Sequence, residues 1–339
     1  MKRHFCKTLL AGIGVLILIL DASTALKGAR DGVDLCVRVI VPSLFPFFVL
    51  VALLNNGLQH LNFSSFSVIE RLLKIPRGSG GIWLCGILGG YPTGAQTVYA
   101  SWKSGAIQKV HADRMLSFCS NAGPAFLFGI IASQFDSKAV AWTIWGIHIM
   151  SSVAVARILP HRESPTISHR IQTPLTLTDA LRNSVFICSQ VCGWVILFRV
   201  LSAFLIRWVL WMLPTAIQVM LISLLELANG ASMLREIENV GLRMMAAGAA
   251  VNCGGLCVLM QTAAVTKGLD LRNYIIGKVL QTGVGTVLTL LAQNLLFSSP
   301  FSIRSQLNWL LIPLTVGVLC TYFLFRRENN SSISAKNVV

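Results

Sequence analysis

The sequence predicts an all-α polytopic membrane protein with about eight transmembrane helices and two re-entrant helical hairpins in an inverted repeat. Of its 339 residues, 54% are hydrophobic and 12% are charged, a balance that excludes an ordinary water-soluble domain. A polar, glycine-rich motif also occurs once in each half. Finally, eight stretches contain no Lys, Arg, Asp or Glu: residues 39–69, 78–102, 115–135, 139–156, 208–225, 244–266, 279–303 and 305–325.

The first apolar run, residues 8–20, is shorter than the others and follows Lys2, Arg3 and Lys7. A basic start before a short apolar run is typical of a cleavable signal peptide, which stays open as an alternative. A retained first helix is favoured, because the remaining chain is a membrane bundle that needs an anchor and an orientation.

The net charge of +15 does not indicate a nucleic-acid partner, because basic residues collect in the cytoplasmic loops of membrane proteins. Placing both termini in the cytoplasm puts most Lys and Arg residues on that side, Lys278 included. We therefore expect a multi-pass membrane protein, with the lipid bilayer as a partner. Whether the protein forms a homo-oligomer stays open.

The Pro-rich stretch 159–178 divides the chain, and similar features follow in the same order on each side of it. Glycines recur in any membrane bundle because they permit close helix packing. The matching order of the features in the two halves nevertheless favours a true repeat. The predicted divisions are an N-terminal helix 1–30, a first repeat 31–158, a linker 159–180, a second repeat 181–303, and a C-terminal helix with a cytoplasmic tail 304–339.

Each repeat is predicted to contain one re-entrant hairpin. In residues 78–102, the motif Gly89-Gly90-Tyr91-Pro92 favours a helix break, because Pro92 lacks an amide donor and glycine tolerates unusual dihedrals. Its partner is expected in residues 221–234, with the tip near Asn229. Such broken backbone is tolerated at membrane depth only inside protein or beside an aqueous cavity.

The half-helix starts and the polar residues that follow them form the candidate solute site. Free amides and a partial positive charge at a helix start suit carboxylates and other electron-rich groups. Asn residues can donate and accept hydrogen bonds with a solute, although helix-to-helix contacts are the alternative for them. The predicted solute-binding residues are Thr93, Gly94, Gln96, Ser120, Asn121, Asn229, Gly230, Ser232 and Asn252.

Glu226 follows the uncharged run 208–225 and is the most exceptional ionisable residue. Acids inside a membrane are costly and usually face a cavity, a cation or a proton path. Two interpretations stay open: Glu226 binds a coupling cation or proton, or it pairs with Arg235 or Arg243. The nine cysteines lie mostly in apolar runs without metal-ligand spacing, so we expect packing residues, with no metal and no cofactor. No catalytic motif indicates an enzyme.

The motifs Leu88-Gly89-Gly90-Tyr91-Pro92-Thr93-Gly94-Ala95 and Leu116-Ser117-Phe118-Cys119-Ser120-Asn121-Ala122-Gly123-Pro124 resemble the sporulation integral membrane proteins of endospore-forming Firmicutes. That family carries nucleoside-recognition (Gate) domains. The resemblance implies Gate-type hairpins, kinship with concentrative nucleoside carriers, and movement of dipicolinic acid across the outer forespore membrane. The second half lacks a matching Gly-Tyr-Pro and has Glu226-Leu227-Ala228 instead.

The sequence therefore predicts a secondary carrier or permease for a small organic anion, such as dipicolinate, or for a nucleoside-like solute. Two inverted halves would alternate access to a site near the bilayer midplane. The alternative is a non-transporting membrane scaffold for spore or envelope assembly. The scaffold gains little support, because the polar residues concentrate at membrane depth.

Overall fold

The computed structural model describes residues 2–60, 67–161 and 175–296, and every regular element in these ranges is helical. The helices are α1 Lys2–Leu20, α2 Ala22–Leu35, α3 Val41–His60, α4 Ser67–Leu73, α5 Gly80–Gly89, α6 Thr93–Lys103, α7 Lys109–Cys119, α8 Pro124–Phe126, α9 Lys138–Ile158, α10 Leu177–Trp208, α11 Thr215–Leu225, α12 Leu227–Ser232, α13 Val240–Cys253, α14 Gly255–Val265 and α15 Leu271–Leu296. A π-helical turn, Cys36–Ile40, joins α2 to α3, and another, Leu127–Ile131, continues α8.

Six segments of the described chain are long and apolar enough to cross a bilayer: Ala22–Gly57, Lys109–Gln134, Lys138–Ile158, Leu177–Trp208, Val240–Val265 and Leu271–Asn294. Thr8–Leu20, Gly80–Gly89 and Thr215–Leu225 are apolar but shorter. The predicted last span, residues 305–325, lies outside the described residues. The prediction of an all-α, multi-pass membrane protein is confirmed, while the number of crossings stays a prediction.

Local sequence signals explain how the long helix α10 begins and what it packs against. The Thr176 hydroxyl accepts from the Asp179 amide and the Asp179 carboxylate accepts from the Thr176 amide, which forms a capping box. Along its length α10 packs on α2 through Gly28 and Gly32. A Cβ atom on Gly28 would lie 2.9 Å from the Val200 Cα, so glycine sets the spacing of this helix pair.

The same order of elements occurs on both sides of α10. A short helix pair, α5 and α6, precedes the interrupted segment α7–α8 and then the long helix α9. After α10, the pair α11 and α12 precedes the interrupted segment α13–α14 and then the long helix α15. Helices on either side of the predicted linker end at Ile158 and begin at Leu177.

The prediction for the tip of the second helix pair was wrong. The second helix pair breaks at Glu226, not near Asn229, because the Glu226 side chain caps α12 and the helix therefore begins at Leu227. Asn229 and Gly230 consequently lie inside α12 and do not form its start. Lys278, which was assigned to the cytoplasmic side, is 5% exposed inside the bundle, where it donates hydrogen bonds to the Tyr91 hydroxyl and the Ser120 carbonyl.

Candidate functional site

The first helix pair is held against the interruption of α7–α8 by glycine contacts. Gly90 has φ +73°, a conformation that favours glycine, and a Cβ there would lie 2.8 Å from the Gly123 nitrogen. A Cβ on Gly86 or Gly94 would overlap the Cys119 carbonyl oxygen. The sequence thus brings the tip of the pair, residues 90–92, directly onto the non-helical segment 120–123.

The second pair meets the interruption of α13–α14 in a similar way. Gly254 and Gly255 have φ +77° and +78°, and a Cβ on Gly255 would lie 2.8 Å from the Ser223 carbonyl oxygen. Gly230 packs against the Ser223 backbone and hydroxyl, so this glycine closes the pair formed by α11 and α12. Each half therefore places a helix break beside the end of its own hairpin-like pair.

Glu226 occupies the break between α11 and α12 and is 3% exposed. Its carboxylate accepts from the amides of Ala228 at 3.0 Å and Asn229 at 2.6 Å. Negative charge at a helix start is favourable because it satisfies free amides and the helix dipole. Arg235 instead pairs with Asp136 at 2.7 Å, and Arg243 donates to backbone carbonyls. Neither arginine that was considered as a partner therefore contacts Glu226.

The break between α5 and α6 and the break between α11 and α12 open onto one cavity of the bundle. It offers about 50 Å³ to the centres of water-sized molecules, whereas one water needs roughly 10–15 Å³ by this measure. The polar wall groups include the Glu226 carboxylate and the Gln261 amide. Its full lining is Gly89, Gly90 and Tyr91 at the first tip, Glu226, Leu227 and Ala228 at the second, with Ile40, Leu44, Ala122, Gly123, Phe126, Ile130, Val191, Val195, Val258 and Gln261 around them.

A buried polar network lies behind the Tyr91 side of the cavity. The Lys278 Nζ donates to the Tyr91 hydroxyl at 3.0 Å, the Ser120 carbonyl at 2.6 Å and the Gln281 Oε1 at 2.8 Å. The Gln281 Nε2 then donates to the Asn121 Oδ1 at 3.0 Å. These contacts join the first tip, the first interruption and α15, so both halves of the chain contribute to one network.

His148 of α9 extends this network to the second interruption. Its Nε2 accepts from the Ala122 amide at 2.9 Å, and its Nδ1 lies 3.0 Å from the Asn252 Oδ1. Because Nε2 is the acceptor, Nδ1 carries the proton and donates to Asn252, which assigns a neutral imidazole. The Asn252 Nδ2 donates to the Gly248 carbonyl at 2.8 Å. His148 therefore links the interruption of α7–α8 to the interruption of α13–α14.

Most predicted site residues lie near the cavity but not on its wall. Asn121 and Asn252 are fully buried in the network, where their side-chain amides are hydrogen-bonded to other protein groups. Asn229 donates to the Val195 carbonyl at 3.2 Å, while its Oδ1 accepts no hydrogen bond from the described residues. Among the predicted residues Glu226 alone lines the cavity. The others are Ser120 in the network, Gly94 and Gly230 at the close contacts, Thr93 and Gln96 on α6, and Ser232, which donates to the Asn229 carbonyl.

Sequence reasoning missed Tyr91, Lys278 and Gln281 as members of the site. Lys278 and Gln281 are three residues apart on one helix, a spacing that puts both on the same face. A lysine followed at this spacing by an amide, inside an otherwise apolar helix, is the signal that would have found them. Tyr91 was considered only for its effect on the backbone.

The chain is similar to the sporulation integral membrane protein YlbJ of Bacillus subtilis (strain 168). The two are 24% identical over 331 residues, covering 83% of this chain and 81% of that protein. This similarity supports a place among sporulation integral membrane proteins. No protein-family model matches the chain. No solved structure matches it.

Proposed function

We propose that this protein is a membrane permease or secondary carrier, linked to sporulation, for a small organic anion or a nucleoside-like solute. One observation carries the proposal: two helix breaks, one from each half, open onto one cavity. Discontinuous helices that meet inside a bundle are the usual way in which carriers build a solute site. Dipicolinate is the first candidate, because the similar motifs of sporulation membrane proteins imply it.

The proposal includes an inverted repeat of residues 31–158 and 181–303, with α5–α6 and α11–α12 as re-entrant hairpins. The recurring element order supports it, as does the contact of each pair with its own interruption through glycine. Two copies of opposite orientation give a bundle two equivalent arrangements, one open to each side. The outer forespore membrane is the proposed location.

Within this scheme Glu226 is proposed to bind the coupling cation or proton. It is a carboxylate on the cavity wall, and within residues 2–60, 67–161 and 175–296 no Lys or Arg forms an ion pair with it. An anionic solute in the same cavity would be repelled unless that charge were neutralised. Binding of a cation or proton together with the anion removes the repulsion.

The proposal is tested with purified full-length protein in liposomes. Uptake of radiolabelled dipicolinate and uridine is measured with and without an inward proton or sodium gradient. The protein is expected to accumulate one of these solutes when a gradient is applied. Glu226→Gln should abolish gradient-driven accumulation, whereas Glu236→Gln, which alters an exposed carboxylate on the following turn, should not.

Two results would contradict this reasoning at different levels. Accumulation by Glu226→Gln at the wild-type rate would remove Glu226 from coupling and leave transport standing. No flux of either solute through folded wild-type protein would favour the non-transporting scaffold, and a partner captured from sporulating cells would then become the next measurement.

A further inference from the structure

The Lys278 amine lies deep inside the bundle, where the side chain is 5% exposed. Its three hydrogen-bond acceptors are a phenol, a backbone carbonyl and a side-chain amide, at 3.0, 2.6 and 2.8 Å. Three acceptors around one nitrogen use all three N–H groups of an ammonium. The rings of Tyr91 and Tyr274 also lie near Nζ, with centroids at 5.0 and 5.8 Å.

These contacts satisfy the ammonium's donors but do not neutralise its charge. Within the described ranges no Asp or Glu pairs with Lys278, and the acids that are buried there, Glu70 and Glu226, bind backbone amides instead. An isolated buried charge is costly, and charges inside membrane bundles usually mark a solute or ion path. A structural bond between helices would not need a charge at this position.

Tyr91 connects this charge to the cavity. Its ring lines the wall, while its hydroxyl accepts from Lys278 and donates to the Val251 carbonyl over a long 3.4 Å. The ammonium thus lies one side chain behind the wall at the first tip. Glu226 lies on the wall at the second tip.

We infer that Lys278 is the specificity-determining cation of the solute site, and that it binds a carboxylate group of an anionic solute when Tyr91 moves aside. This inference rests on the proposed transport function and names its solute class as small carboxylates. A solute carboxylate would replace the neutral oxygens that now surround Nζ and would add the opposite charge that they lack, so both partners of the hydrogen bond would be ionised. A neutral solute would gain nothing from the exchange.

The test compares dipicolinate with its uncharged diamide, which has the same ring and outline. Binding of each is measured by equilibrium dialysis with detergent-purified protein, and uptake is measured in liposomes. The variants are Lys278→Met, Lys278→Gln and Lys278→Arg. Thr286→Val is the matched control, because its hydroxyl only donates to the Thr282 carbonyl of its own helix. Thermal unfolding shows that each variant is folded.

Wild type and Thr286→Val are expected to bind dipicolinate more tightly than the diamide. Lys278→Met and Lys278→Gln should lose at least about tenfold in dipicolinate affinity, the size of one charged hydrogen bond, and leave diamide binding within about twofold. Lys278→Arg should retain the preference for the anion. If Lys278→Met does not fold, Lys278→Gln carries the comparison, since its side-chain amide still supplies two N–H donors and no charge.

The inference is overturned if the Lys278 variants bind dipicolinate like wild type, if they lose both ligands in proportion, or if wild type binds no dipicolinate. Binding that depends on Lys278 without any flux would support the anion site and contradict the proposed carrier. Flux of dipicolinate that is independent of Lys278 would support the proposed carrier and contradict the anion site.

Discussion

Gly94→Ala tests whether the first helix pair is as closely packed as the site requires. A Cβ on Gly94 would lie 2.9 Å from the Gly86 Cα and closer still to the Cys119 carbonyl oxygen. Ordinary Cβ contacts begin at 3.4 Å, so α6 must move away from α5 by at least 0.5 Å (3.4 − 2.9). The obstructing atoms are backbone atoms that cannot rotate away, and overpacking of this kind costs about 1–3 kcal/mol.

The gain in helix propensity from Gly to Ala opposes this cost by at most about 1 kcal/mol. Gly146→Ala isolates that gain, because a Cβ on Gly146 of α9 meets no atom within 4 Å. Thermal unfolding of both variants, followed by tryptophan fluorescence in one detergent, should give a lower midpoint for Gly94→Ala and an equal or higher midpoint for Gly146→Ala. Equal midpoints for the two variants would refute the close approach of α5, α6 and the end of α7.

Four further substitutions have defined outcomes. Arg114→Met should destabilise the protein by about 3 kcal/mol in the same unfolding assay, because it removes donors from buried backbone carbonyls at the ends of α4 and α9. Lys109→Ala, which breaks a partly exposed ion pair on the same helix, should cost less than about 1 kcal/mol. Gly28→Leu should separate α2 from α10 and lower the midpoint, and an unchanged midpoint would contradict their contact. Asn252→Leu should cost about 1–3 kcal/mol by leaving the His148 Nδ1–H without its acceptor, and a stable variant would show that the two interruptions are not joined there.

The sequence was sufficient to predict the helical class and the position of the break in the first helix pair, at Gly90. Charge-free runs report membrane spans directly, because hydrocarbon excludes charge. The motif at Gly90 could be identified as a break, since a glycine at positive φ or a proline prevents a regular helix locally. These signals are local, so a single sequence contains them in full.

The break in the second helix pair and the membership of the site could not be predicted in the same way. The break at Glu226 has no glycine or proline beside it and depends on a carboxylate that caps α12. The charge pattern gave only a cytoplasmic side for Lys278, because two of its three acceptors come from residues more than 150 positions away. Only the packed bundle brings Tyr91, Ser120 and Lys278 together, and no local pattern contains that information.

The same network also constrains how the proposed carrier would move. Tyr91 of the first tip is bonded to Lys278 of α15, so moving that tip breaks a charged hydrogen bond worth about 1.5–3 kcal/mol. A ligand can drive a conformational change only through its different affinity for the two arrangements. A carboxylate that takes over the Lys278 donors offsets the loss of Tyr91, whereas a neutral solute leaves the ammonium with weaker acceptors. The bond that holds Tyr91 in place would therefore also select the solute that displaces it, and the comparison of dipicolinate with its diamide tests this selection.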